Sequence, residues 1–119
     1  MLSIKLFIRL FVYSNNKKES RNITEGIVKP LNDYINKIKY KSNKPYWKID
    51  GMYVVEIKIE FNDKLNQNKF NKFLKEISNN WLTLGMQDEE LISSDTNFIE
   101  LEMINIFFDY KSEIKLDCD

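Results

Sequence analysis

The segment PYWKIDGMYVVEIKIEF, residues 45–61, holds the pattern on which the fold turns. Tyr53, Val55, Ile57, Ile59 and Phe61 alternate with Val54, Glu56, Lys58 and Glu60. Successive side chains of a strand point to opposite sides, so this period of two predicts a strand with one apolar and one wet face. Such strands belong to largely antiparallel sheets whose other face is covered. Just before it, Asp50-Gly51 offers the residue types that accept positive φ at both centres of a tight two-residue hairpin turn.

Toward the N-terminus, Ile4, Leu6, Ile8, Leu10 and Val12 alternate with Lys5, Phe7, Arg9, Phe11 and Tyr13. This predicts a second strand, its even positions facing the core and its odd positions mixing charge with aromatics. Asn15 to Ser20 reads as a polar loop. Ile23, Ile27, Leu31, Tyr34 or Ile35, and Ile38 then recur at helical spacing, with a kink or late start expected at Pro30, which lacks an amide and clashes with the preceding turn.

Toward the C-terminus, Leu65, Phe70, Phe73, Leu74, Ile77 and Trp81 form the stripe of a second helix, with Asn62 or Asp63 as its N-cap and Asn79, Asn80 and Gly85 ending it. A short strand is expected at Glu90 to Ser93, a turn at Ser94 to Asn97, and a long strand from Phe98 to Tyr110. Ile99, Leu101 and Met103 share one parity and Ile104, Ile106 and Phe108 the other, so a bulge near Met103 is expected to flip the alternation. The order is β-α-β-β-α-β-β. It predicts one α+β domain over residues 1–119, a two-layer sandwich with a mainly antiparallel sheet and both helices on one face. The ferredoxin-like split βαβ arrangement, extended by one strand, is the expected topology.

Composition narrows the function classes. A chain of 119 residues can bury a real core without staples. Histidine is absent, which removes the commonest metal ligand and the commonest general base at neutral pH. The lone Cys118 excludes an intramolecular disulfide and fits a reducing compartment. Lys5 and Arg9 interrupt the apolar N-terminal stretch, and no uncharged run reaches the length of a membrane span, so the chain is expected to be cytoplasmic. The lack of alanine beside abundant lysine, asparagine and isoleucine fits an AT-rich gene, most simply bacterial or phage. No glycine-rich loop, metal-ligand spacing or facing carboxylate pair is found, and the expectation is a protein without cofactor, metal or catalytic residues.

Charge is distributed unevenly along the chain. Residues 1–48 carry eleven basic and three acidic side chains, and residues 86–119 carry two basic and ten acidic, although the whole is neutral. The stretch DEELISSDTNFIELE, residues 88–102, has six carboxylates and no basic residue. Asp88, Glu89, Glu90, Asp95, Glu100 and Glu102 are therefore the candidate partner-binding residues, with Glu100 and Glu102 expected to point outward from one strand face while Ile99 and Leu101 hold the strand to the core.

Small size, this strand order, the lack of catalytic residues, the acidic stretch and NNWLTLGMQDEELIS, in which an aromatic leaves a helix just before an acidic strand, together resemble the small bacterial immunity proteins of contact-dependent growth-inhibition and other polymorphic toxin systems. The resemblance implies binding and neutralising a cognate protein toxin, a nuclease with a basic cleft. Two other classes stay open. One is a nucleic-acid-binding module using Lys17, Lys18, Arg21 and the basic segment Lys37 to Lys48, against which the neutral overall charge counts. The other is a small oligomeric adaptor with Phe7 and Phe11 in a sheet-to-sheet interface, a homodimer through the sheet face.

Overall fold

A computed structural model describes residues 5–85 and 90–108. It contains β1 (Lys5–Tyr13), α1 (Lys17–Val28), a 3₁₀ helix (Lys29–Tyr34), β2 (Ile35–Pro45), β3 (Met52–Phe61), α2 (Gln67–Ile77), β4 (Leu82–Leu84), β5 (Glu90–Ser93) and β6 (Leu101–Phe108). All strand pairs are antiparallel, in one six-stranded sheet of order β2-β3-β1-β6-β5-β4. The α+β class and antiparallel sheet expected from the periodicities are present. The ferredoxin-like order is not. β4, which the sequence reading missed, joins β5 to extend the sheet by two strands beyond β6.

The largest departure lies between residues 16 and 45. α1 starts within the expected loop, capped by Asn16, whose Oδ1 accepts from the Glu19 amide at 2.8 Å. Its buried stripe is Ser20, Thr24, Ile27 and Val28, so the first half of the helical face is polar in composition. Thr24 satisfies its hydroxyl on the Ser20 carbonyl (2.9 Å), and Ser20 donates to Asn43 Oδ1 of β2 (2.7 Å). Hydroxyls bonded in this way bury at little cost, and hydropathy alone does not register them. The helix gives way after Val28 to the 3₁₀ helix, with Pro30 in its first turn, and Ile35 and Ile38 belong to β2 instead of a continued helix.

α2 is capped one turn later than expected, by Asn66, whose Oδ1 accepts from the Lys69 amide at 2.9 Å. It ends at Ile77, and Trp81 lies beyond it. The Trp81 indole Nε1 sits 2.9 Å from the Leu74 carbonyl and 3.0 Å from that of Ser78, satisfying acceptors that a helix C-terminus leaves free.

The hydrophobic core joins the even positions of β1 (Leu6, Ile8, Leu10, Val12) to Val55, Ile57, Ile59 and Phe61 of β3, and to Leu101, Ile104 and Ile106 of β6. Ile27, Val28 and Leu31 from the first helical segment, and Phe70, Phe73, Leu74 and Ile77 from α2, complete it. The parity change in β6 is real. Val12 pairs with Leu101 and Phe11 with Met103, which leaves Glu102 as the extra residue of a bulge, next to the expected Met103. The expected Asp50-Gly51 two-residue turn is a longer loop, closed by the Tyr46 amide on the Met52 carbonyl (2.8 Å), with Gly51 at φ 77°. No helix among the described residues is long and apolar enough to cross a membrane.

Candidate functional site

Residues that oppose each other across a strand pair share a sheet face. The register therefore assigns Lys5, Phe7, Arg9 and Phe11 of β1, Val54, Glu56, Lys58 and Glu60 of β3, and Met103, Asn105 and Phe107 of β6 to the face away from the core. Most of these side chains stay half-exposed or exposed. At the centre, Arg9 Nε donates to Glu56 Oε2 at 2.8 Å, and its guanidinium carbon lies 5.4 Å from the centre of the Phe107 ring. Phe7 meets Phe107 edge-on with ring centres 5.8 Å apart.

One end of this face is aromatic. The β2–β3 loop carries Tyr46 against Phe11 (5.3 Å between centres, near-perpendicular) and Trp47 against Tyr46 (6.3 Å). Trp47 is 83% exposed, and Ile49 beside it is exposed too. A hollow of about 360 Å³ opens among Arg9, Phe11, Pro45, Tyr46, Trp47 and Glu56. The loop projects these rings because Gly51 lets the chain turn back into β3 with its amide ladder intact.

The opposite end is basic. Lys5, Lys37, Lys39, Lys41 and Lys58 surround a smaller hollow of about 170 Å³, accompanied by one carboxylate, Glu60. Lys39 and Lys58 stand directly opposite each other in the ladder. The positive charge of Lys39, reinforced by Lys58 and Lys37, pulls the Lys41 amine below its usual 10.5.

The acidic candidates are spread more widely. Asp88 and Glu89 lie outside the described residues. Glu90 opposes Phe107 on the outer face and accepts from Asn105 Nδ2 at 2.6 Å. Asp95, in the loop after β5, accepts from Asn80 Nδ2 at 2.5 Å. Glu100 precedes β6 and lines a hollow with Glu19, Ile23 and Phe98, beside α1. Glu102, in the bulge, accepts from the Tyr13 hydroxyl, which holds that phenol above its usual 10.0. The register sets Glu90 and Glu102 five residues apart along β6, roughly 15 Å. The expectation that Glu100 and Glu102 share a strand face is corrected: Glu100 is in a turn, and Ile99, expected to face the core, is 90% exposed. The amide of Leu101 bonds the Phe98 carbonyl at 3.1 Å, a tight turn that delays the strand by three residues.

Comparison with family models, with curated proteins and with solved structures finds no match. Sequence reasoning missed Trp47 as a surface anchor and, although it named the basic segment Lys37 to Lys48, missed the strand that groups Lys37, Lys39 and Lys41 with Lys5 and Lys58. The signal for the second was present: Lys37, Lys39 and Lys41 alternate as a strand edge would, whereas a helix scatters them around its circumference.

Proposed function

We propose that this chain is a non-catalytic binding protein that docks a protein partner on the outer face of its sheet, and that the partner is a toxin it neutralises by occlusion. The observation that carries the docking is Trp47, an indole left almost wholly in water at the rim of a half-exposed aromatic face. Tryptophan and tyrosine dominate the energetics of protein interfaces when a partner desolvates them. Leu82 and Leu84 of β4, also exposed, oppose Ile92 and Glu90 of β5 and extend the apolar strip across the sheet. The fold component of this reading is a two-layer arrangement with α1 and α2 both on the inner face, which their shared core cluster supports. The toxin-neutralising role follows from the sequence resemblance. There the acidic side chains, Glu90 and Glu102 on the sheet and Glu100 beside it, would steer approach to a basic cleft, an effect on association rate more than on affinity.

The test takes as partner the product of the gene neighbouring this one, which this reading expects to be a toxin. Trp47→Ala is expected to weaken the complex by about a hundredfold, a loss of roughly 2–4 kcal/mol that marks an interface anchor, while leaving the melting temperature in place. Glu100→Lys with Glu102→Lys is expected to slow association and change its salt dependence. If the acidic double variant abolishes binding and Trp47→Ala does not, the docking surface is the acidic stretch. Failure of the neighbouring product to bind at all overturns the toxin assignment.

A further inference from the structure

The lysine corner at the far end of the outer face has no role in the docking just described, and its geometry is costly. Lys37, Lys39 and Lys41 come from the edge strand β2, Lys58 from β3 and Lys5 from β1, so three strands deliver ammonium groups to one hollow. Like charges placed directly opposite on a strand pair destabilise it, and Lys39 faces Lys58 in that way. Lysines on an edge strand are a common guard against edge-to-edge pairing. That accounts for the three on β2. It does not account for Lys58 or Lys5, which lie on interior strands, Lys5 being in β1 between β3 and β6.

Compensation is partial: Glu60 stands opposite both Lys5 of β1 and Lys37 of β2, while Lys39 and Lys58 oppose only each other across the β2–β3 pair. Glu60 is the one carboxylate among the six lining residues. Glu56, the nearest other acid on β3, is paired with Arg9. The depressed affinity of Lys41 for its proton reports the same crowding: each ammonium raises the energy of the next.

We propose that this hollow is an anion site for clustered phosphate groups. Lys37, Lys39 and Lys58 supply the main charge, and Lys5 and Lys41 close its sides. Bound phosphate would turn the mutual repulsion of these amines into charge-assisted hydrogen bonds. Lysine suits such a ligand as a compact, rotatable point charge with three donors, whereas an array built for planar carboxylates would favour arginine. The phosphates can come from a small polyphosphate compound or from the backbone of a nucleic-acid strand, and the experiment separates the two.

The full-length chain is titrated at low ionic strength with inorganic tripolyphosphate and with labelled oligothymidylates of increasing length. The wild-type protein is expected to bind tripolyphosphate. Lys39→Gln with Lys58→Gln is expected to lose about tenfold or more in affinity, the scale of one or two hydrogen bonds to a charged group. The same variant is expected to melt no lower than wild type, because a repulsive pair is removed, so weakened binding cannot be ascribed to unfolding. Lys17→Gln with Lys18→Gln on α1, well outside the hollow, serves as the control and is expected to leave binding unchanged.

Tripolyphosphate binding with weak oligothymidylate binding assigns the site to small polyphosphates. Affinity that rises with strand length assigns it to nucleic acid, and then the double variant is expected to reduce the slope of log affinity against log salt by roughly 1.4, about 0.7 per lost contact to a single strand. The proposal fails if neither probe binds. It fails equally if the α1 control loses affinity as much as the hollow variant, or if a glutamate oligomer of matched charge binds as tightly as tripolyphosphate.

Discussion

The two faces of the sheet are made by the same strands and carry opposite kinds of information. On the inner face, Leu6, Ile8, Leu10, Val55, Ile57, Ile59, Ile104 and Ile106 are essentially without solvent contact. On the outer face the alternating residues are Phe7, Arg9 and Phe11, then Glu56, Lys58 and Glu60, then Met103, Asn105 and Phe107. Apolar side chains on the inner face are interchangeable in kind: each is defined by volume and lack of polarity. The outer face is defined by position, since ring, cation and carboxylate occupy distinct places across it. The inner face holds the fold and the outer one is available for recognition, because binding needs groups that folding has left unsatisfied.

The sharpest way to break this contrast is to remove the same side chain from each face. Phe61 of β3 is 1% exposed on the inner face, and Phe61→Ala is expected to cost roughly 3–5 kcal/mol by denaturant unfolding, because the lost burial adds to an uncollapsed cavity. Phe107→Ala on the outer face, where the ring is half-buried against Phe7 and Arg9, is expected to cost less, about 1–2 kcal/mol, because no sealed cavity is left behind. Equal losses would mean that the outer rings are part of the core.

The smallest effect concerns Tyr13 and Glu102 at the bulge. Glu102→Gln removes both the charge and the strong acceptor that favour the neutral phenol, so Tyr13 is expected to titrate at lower pH, nearer 10.0. Ultraviolet absorbance of phenolate, with Tyr13→Phe as the reference, measures this. The sign for stability follows. With its folded-state pKa raised, the phenol contributes stability that is present below pH 10.0 and lost as pH rises through the folded value. An unchanged titration would mean that Glu102 does not hold the phenol in solution.

Two charged stretches show why some of this was legible and some was not. Ile35 and Ile38 fit the helical stripe that starts at Ile23, and this hides the strand on which Lys37, Lys39 and Lys41 lie. A strand with two register shifts, near Ile35/Lys37 and Tyr40/Ser42, blurs the period of two that would have identified it. The acidic stretch looked like one surface because its residues are neighbours in sequence. It contains a strand, a loop, a tight turn and a bulge, and each break re-aims the next side chain.

The chain by itself determined the strands β1 and β3, the α2 stripe of Phe70, Phe73, Leu74 and Ile77, the parity change in β6 and the antiparallel α+β class. These follow from local periodicity, and local periodicity records which side of an element avoids water. Only the tertiary structure decided that β2 lies at the edge, that Lys5 and Lys58 stand beside the lysines of β2, that β4 and β5 extend the sheet past β6, and that Trp47 projects from the rim. Those facts depend on strand order and register, which arise from pairings between residues as far apart as Phe7 and Phe107, a separation across which no periodicity carries information.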